Sequence, residues 1–337
     1  MINIQSESYG GVFLYNQTEV ILSQYELEIR QMTKGRGFLI CETDKGTKLL
    51  CPFKGSKDKG EWIREYLNCL KDSGYCVETI FPSQKGDAVV EDDVTGERFW
   101  MKDAILGTPL NTAHFGEMIE VGGMLARYHN ISERVSDRSS ALSYFDVVDA
   151  SMRHSRELVK VKNYIRTKKR KQEFEQIYMR YFERMHEIAE KSCEILNSQA
   201  QRETGCLICH GDCNQHNIVW LDGRWQLIHF ENVVYSWSMW DLATYIRKVM
   251  EKNGWDEELG LAIVQEYHKV RPIQKEDYQK LCGLILFPEK FWKVANHYMS
   301  SNKAWIPEKD IEKLKKVIEQ EIHRLKFVEN LFSISLE

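Results

Sequence analysis

The spacing of the hydrophobic residues changes near Gly107 of this 337-residue chain. Before that point, short apolar or alternating runs are separated by glycine turns, which is the pattern of β-strands. After it, apolar residues recur every three or four positions through long segments, as in amphipathic helices. A chain of this length can build two hydrophobic cores. The sequence therefore predicts an α+β fold of two lobes, residues 1–103 and 104–337, with a hinge near Met101 to Gly107.

The first lobe is predicted to be a mainly antiparallel sheet with one helix inserted after the third strand. Apolar residues at helical spacing lie between that strand and Gly74, which is a good residue to follow a helix end. The predicted strands cover residues 26–31, 38–43, 47–53, 75–81, 87–92 and 97–104, and the helix covers 58–74.

Composition narrows the range of partners and compartments. The chain is 43% hydrophobic and 28% charged, which is typical of a folded protein, and its net charge of −4 gives no overall attraction to nucleic acid or anionic membrane. No apolar run reaches the length of about 18 residues that a membrane span needs, and the first residues lack a signal-peptide pattern. Nine cysteines, an odd number, suit reduced thiols. We expect an intracellular protein without nucleic-acid or membrane partners.

One segment, CLICHGDCNQHNIVWLDGRWQLIHFENV, has the spacing of a functional site. Two apolar strands flank Asp222-Gly223, which is among the strongest short-range hairpin signals. The sequence thus predicts a catalytic-type loop at 209–217 and a hairpin at 217–231. Because a hairpin reverses the chain, we expect His229 and Glu231 to return beside the loop.

The loop places His210, Asp212 and Asn217 in the pattern H-x-D-x-x-x-x-N, which is the spacing of a phosphotransferase catalytic loop. In such a loop a carboxylate accepts the proton of the attacking hydroxyl, and an amide oxygen holds a divalent cation against the phosphates. A zinc site is an alternative use of the nearby thiols, whose spacing is C-x-x-C-H-x-x-C. No second ligand pair follows at finger spacing, so buried thiols are favoured.

With this loop, the segment MWDLATYIRK and the C-terminal FPEKFWKVANHYMSSNKAWIPE, the chain resembles the aminoglycoside-phosphotransferase and choline-kinase superfamily, and in detail the CotS-type spore-coat proteins. The resemblance implies a protein-kinase-like two-lobe fold. It also implies that Asp212 is the catalytic base, that Asn217 binds metal, and that Asp241 and His210 support the loop.

Two positions depart from what the resemblance implies. A lysine that grips the nucleotide phosphates is expected where the chain has Cys51, so that Glu61 or Glu65 in the following helix would lack its partner. The principal magnesium aspartate is expected where the chain has His229. Magnesium prefers carboxylate and phosphate oxygens to imidazole.

Four further residues bear on how far these departures matter. Glu231 could approach the cation, because residues two apart in an extended segment share a face. Lys48 is out of phase with position 51 and is a poor substitute for the missing lysine. Gly35 and Gly37 suit a phosphate-covering loop and a plain hairpin turn equally well.

The resemblance leaves two hypotheses about function. The leading one is a degraded or inactive kinase that acts in spore-coat assembly or binding, with coat proteins as partners, in the cytoplasm of the mother cell and in the spore coat. The alternative is an ATP-dependent phosphotransferase that acts on a small hydroxyl-bearing molecule. ATP and magnesium are the expected cofactors of an active enzyme, whereas the inactive form needs none. The sequence does not specify the acceptor or the oligomeric state.

Overall fold

The computed structural model describes residues 18–35, 37–135, 141–200, 205–300 and 308–336. The chain divides into two compact units. The first comprises the described residues of 1–109, 131–143 and 216–234, and the second comprises those of 110–130, 144–215 and 235–337. An antiparallel sheet forms the N-terminal part and helices dominate the C-terminal part, so the predicted α+β fold class is confirmed.

The main sheet of the first unit has the strand order β1-β2-β3-β6-β4, with β5 also paired to β6, and every pair is antiparallel. Helix α1 follows the third strand, as predicted, and it begins where the Ser56 side chain accepts a hydrogen bond from the Lys59 N–H. The elements are β1 Ile29–Lys34, β2 Leu39–Thr43, β3 Gly46–Pro52, α1 Lys57–Asp72, β4 Ile80–Phe81, β5 Val90–Glu91 and β6 Arg98–Asp103.

The fourth and fifth strands are shorter than predicted. Both pair with the same edge of β6, since β4 lies opposite residues 101 and 102, and β5 lies opposite residues 98 and 99. Two strands that share one edge of a six-residue strand each have room for only a few residues. The prediction of full strands over 75–81 and 87–92 was therefore wrong in length.

The two faces of the main sheet differ in what they bury. Successive side chains of a strand point to opposite faces, so Leu50 and Cys51 lie on different sides. Leu50 belongs to a buried apolar cluster with Met101 and Ile21. Cys51 lies opposite Trp100 in the β3–β6 register, and Lys102, two residues further along β6, shares that face.

A smaller sheet of the first unit contains the predicted chain reversal. Strands β9 (Ile218–Leu221) and β10 (Arg224–Leu227) pair antiparallel, and β7 (Thr108–Pro109) pairs with the other edge of β9. Asp222 and Gly223 both have positive φ, 50° and 76°, as a two-residue hairpin turn requires. The N–H of Ile228 donates to the carbonyl oxygen of Asn217 and closes the base of the hairpin.

The second unit is built mainly from helices. Its principal apolar cluster includes Leu158, Tyr178, Phe182 and Phe291. Its elements are α2 Phe115–Val135 (residues 115–130), α3 Val147–Thr167, α4 Glu173–Ser198, β8 Cys206–Cys209, β11 Val234–Trp237 (residues 235–237), α5 Ser238–Met250, α6 Glu257–Val270, α7 Lys275–Leu286, α8 Glu289–Ser300 and α9 Glu308–Leu336. Among the helical residues that the structure describes, no helix is both long and apolar enough to span a membrane. All nine cysteines lie in the described ranges, and none forms a disulfide bond.

A glycine in α2 allows a close approach to α6, and its substitution tests this packing. A Cβ at Gly122 would lie 2.7 Å from the carbonyl oxygen of Ile263, whereas a Cβ at Gly116 in the same helix would meet nothing within 4 Å. We expect Gly122→Ala to lower the free energy of unfolding by roughly 1–3 kcal/mol, because backbone must move. Gly116→Ala should be neutral or stabilise by about 1 kcal/mol or less. Urea denaturation of both variants measures the difference, and equal effects would contradict the close approach.

Candidate functional site

The first unit contains a cluster of charged side chains around Lys102, which is completely buried on β6. Its Nζ contacts Oε1 of Glu231 and lies 3.2 Å from Oε2 of Glu78. Nδ1 of His229 lies 3.3 Å from the same Nζ. An ammonium can only donate, so Nδ1 accepts in this contact. The predicted residues His229 and Glu231 thus meet at a lysine that the sequence had not singled out.

The charges of this cluster stabilise one another. Burial by itself would lower the pKa of Lys102, but the carboxylates of Glu78 and Glu231 raise it above its ordinary value, so the side chain remains an ammonium. Burial would likewise raise the pKa of Glu231, but the hydrogen-bonded Lys102 ammonium holds it below the ordinary range. Glu231 is therefore a carboxylate that is already paired with an ammonium of its own unit.

Glu78 fixes the backbone on which His229 lies. Its two carboxylate oxygens accept hydrogen bonds from the N–H groups of His229 (3.1 Å) and Phe230 (2.9 Å), at the start of a 3₁₀ turn over Phe230–Asn232. His229 has a φ of 67°, a left-handed conformation that is uncommon for a residue other than glycine. The buried carboxylate of Glu78 supports this conformation and also binds Lys102, so it joins strand and turn.

Cys51 adds no charge to this cluster. Burial raises the pKa of the Cys51 thiol to about 12. Lys102 opposes this rise, and the nearby carboxylates add to it. The two candidate partners in α1 are engaged elsewhere or exposed. Glu61 accepts from the Ala88 N–H and pairs with Arg64, and Glu65 is exposed. The structure does not bring Glu65 to Cys51.

Gly35 and Gly37 form the turn between β1 and β2. Gly37 has a φ of 88°, and a Cβ at Gly35 would collide with the Phe38 ring. Both glycines line a cavity of about 650 Å³ whose other lining residues include Leu39 and Leu50. Leu50 lies on the sheet face opposite Cys51, so the cavity belongs to a different face from the charged cluster.

Lys48 lies on that other face as well. Its ammonium pairs with Asp103 and stands 5.0 Å from the centre of the Phe81 ring. This agrees with the expectation that Lys48 is out of phase with Cys51.

In the second unit, Asp241 holds the first residues of the predicted loop. This buried carboxylate, in the first turn of α5, accepts from the N–H of His210 (2.6 Å) and of Gly211 (3.0 Å). Gly211 has a φ of 84°, which only glycine adopts without strain. The buried His129 approaches the same carboxylate with Nε2 at 3.4 Å and bonds Tyr267 Oη through Nδ1 at 2.6 Å. Asp241 is thus the anchor of the loop.

Asp212 itself lies just beyond this anchor. Its N–H donates to Nδ1 of His210 at 3.3 Å, and its Oδ1 accepts from the Asn214 side chain at 2.8 Å. Of the thiols considered for zinc, Cys209 points its Sγ at the carbonyl oxygen of Trp237, and Cys213 is completely buried. No group of three or more His, Cys, Asp or Glu side chains is arranged for a metal within the part of the chain that the structure describes.

Asn217, the third predicted metal ligand, is buried at the start of β9 in the first unit. The sequence analysis did not single out Lys102 and Glu78, which are ionisable residues within apolar, strand-like segments. That signal was available, because lysine and glutamate are almost never fully buried unless they are paired.

The chain has the fold of the kinase-like phosphotransferases. It is similar to an aminoglycoside phosphotransferase from Alicyclobacillus acidocaldarius subsp. acidocaldarius DSM 446, with a TM-score of 0.79 and 18% identity over 99% of this chain and 98% of that one. It is also similar to the amicoumacin kinase hAmiN in complex with AMP-PNP, Ca2+ and Ami (TM-score 0.65, 12% identity, 96% and 94% covered). A microcompartment-associated aminopropanol kinase aligns with a TM-score of 0.65 and 13% identity (94% and 98% covered).

The match to a family model is more specific than the similarity of fold. The model of the family described as "Spore coat putative kinase YutH" matches residues 18–331. The chain belongs to this family of kinase-like spore-coat proteins, and the resemblance predicted from the sequence is confirmed. A comparison with curated protein sequences gives no match.

Replacing the loop anchor should destabilise the second unit. Asp241→Asn removes a buried charge that accepts two backbone N–H bonds, and we expect the free energy of unfolding to fall by roughly 3 kcal/mol. Asp149→Asn, at an exposed residue of α3, is the matched control and should change it by about 0.5 kcal/mol or less. Urea denaturation at pH 7 measures both, and similar small effects would contradict the anchoring role.

The loss of stability in Asp241→Asn should depend on pH. Burial alone would raise the pKa of Asp241, but His129, His210 and the Gly211 N–H hold it below its ordinary value. The contribution of the carboxylate to stability is thus complete above about pH 4 and is lost as the pH falls through the lower folded-state pKa. The stability difference between wild type and Asp241→Asn should therefore narrow only below about pH 4. A constant difference down to pH 2 would contradict this account.

Replacing Lys102 should lower the free energy of unfolding more than replacing Lys48, which lies on the opposite face of the sheet. Lys102→Ala leaves two carboxylates facing each other, and we expect a loss of roughly 3–5 kcal/mol in the free energy of unfolding. Lys48→Ala should cost about 1–2 kcal/mol, because its partner Asp103 is half-exposed. Equal losses in denaturant titrations would show that Lys102 is not the central charge of the cluster.

Proposed function

We propose that this chain is a kinase-like spore-coat protein that acts as a binding or coat-assembly module and does not carry out magnesium-dependent phosphoryl transfer. The observation that carries the proposal is the pairing of Glu231 with Lys102. Glu231 is the only carboxylate among the predicted metal ligands Asn217, His229 and Glu231. Because that carboxylate is already hydrogen-bonded to an ammonium of the same chain, it is less available to a hydrated magnesium ion than a free carboxylate would be.

Position 51 supports the same proposal. The Cys51 thiol is neutral at physiological pH, so it cannot neutralise phosphate charge as a lysine would. Family membership supports association with the spore coat, with coat proteins as partners and the cytoplasm of the mother cell as the place of assembly.

The alternative function is an ATP-dependent phosphotransferase of a small hydroxyl-bearing molecule, with Asp212 as the base. One observation favours it: Asp241 and His210 hold the backbone of the loop in a defined conformation, as a catalytic loop requires. The similar amicoumacin kinase is described in complex with AMP-PNP and Ca2+, which makes ATP and a divalent cation the cofactors of this alternative.

Nucleotide titrations distinguish the two functions. We expect the melting temperature of the full chain to show no magnesium- or manganese-dependent rise with ATP, because no metal–nucleotide complex binds. A ligand at a hundredfold excess over Kd would stabilise the protein by about 2.7 kcal/mol, which is easily detected. Consumption of ATP in the presence of hydroxyl-bearing acceptors, abolished by Asp212→Asn, would contradict the proposal and establish the alternative.

A further inference from the structure

The Lys102 ammonium lies at the point where the lone pairs of three side chains converge. Oxygen atoms of Glu78 and Glu231 and Nδ1 of His229 all lie within 3.3 Å of Nζ. An ammonium has three donors, and these acceptors use all of them. The side chains that could form a divalent-cation site are thus hydrogen-bonded to a cation that belongs to the chain.

A magnesium ion does not fit beside this lysine. Magnesium requires ligand oxygens at about 2.0–2.1 Å in octahedral geometry. An ion at that distance from Oε1 of Glu231 would stand next to the ammonium, since the same oxygen contacts Nζ. Two adjacent cations repel strongly in a buried site. Of the residues that the sequence assigned to metal, His229 and Glu231 therefore fit a metal only if Lys102 leaves.

We infer that the Lys102 ammonium takes the place of a divalent cation as the permanent cationic partner of Glu78 and Glu231, and that removing it creates a divalent-cation site at Glu78, His229 and Glu231. The inference deepens the proposed function and rests on it, because a site that is occupied by its own lysine does without the magnesium that phosphoryl transfer needs. The geometry favours this role over a surface ion pair. Lys102 is completely buried, whereas Glu231 and His229 are each about one-quarter exposed, so a metal ion could enter past them.

Manganese binding to the full chain tests the inference. Mn²⁺ is added to chelator-treated protein, and the EPR signal of unbound Mn²⁺ gives the bound fraction. We expect Lys102→Ala to bind one Mn²⁺ with a Kd at least about tenfold lower than wild type, which corresponds to about 1.4 kcal/mol. Lys48→Ala, the matched control on the other face of the sheet, should behave as wild type. Adding Glu231→Gln to Lys102→Ala should abolish the new site.

If Lys102→Ala does not fold, the wild-type protein and Glu231→Gln still test the inference. Wild type and Glu231→Gln should then have the same weak Mn²⁺ affinity, and refolding of Lys102→Ala should improve when Mn²⁺ is present. Tight Mn²⁺ binding to wild type that Glu231→Gln abolishes would overturn the inference. Such binding without transfer of phosphate would overturn this inference alone, whereas metal-dependent transfer of phosphate from ATP would contradict the proposed function.

Discussion

The ammonium of Lys102 is buried between the carboxylates of Glu78 and Glu231, and the charged part of the first unit depends on that contact. A buried charge is tolerated only where partners compensate for the loss of water. Here the compensation links three segments that are distant in sequence: β6, the residues before β4, and the turn after the hairpin. Glu78 also bonds the N–H groups at 229 and 230, so the same pairing stabilises the left-handed conformation of His229.

The parts of the fold that local physics determines could be predicted from the sequence. The change of hydrophobic period predicted the α+β fold class, and Asp222-Gly223 predicted the hairpin because a two-residue turn needs residues that accept positive φ. The lengths of β4 and β5 could not be predicted in this way. They depend on the sharing of one edge of β6, and no pattern within either strand records that tertiary fact.

In the candidate site, too, local sequence predicted some features, and others depend on tertiary structure. The spacing of His210 and Asp212 predicted a catalytic-type loop, and the resemblance predicted that Asp241 supports it; Asp241 bonds the N–H groups of His210 and Gly211. Lys48, on the same strand as Cys51, lies on the other face of the sheet. The cation of the Cys51 face comes instead from the neighbouring strand, because Trp100 lies opposite Cys51 and Lys102 follows two residues later. Which strands are neighbours is a property of the folded sheet.

In the first unit, two of the predicted metal ligands, His229 and Glu231, therefore contact an ammonium of the same chain. Crystals of the wild-type protein soaked in manganese and measured at the manganese absorption edge test this most directly. The account predicts no anomalous peak at Glu231, with Nζ of Lys102 between the two glutamates. A manganese peak bound by Glu231 and His229, with Lys102 turned away, would contradict it.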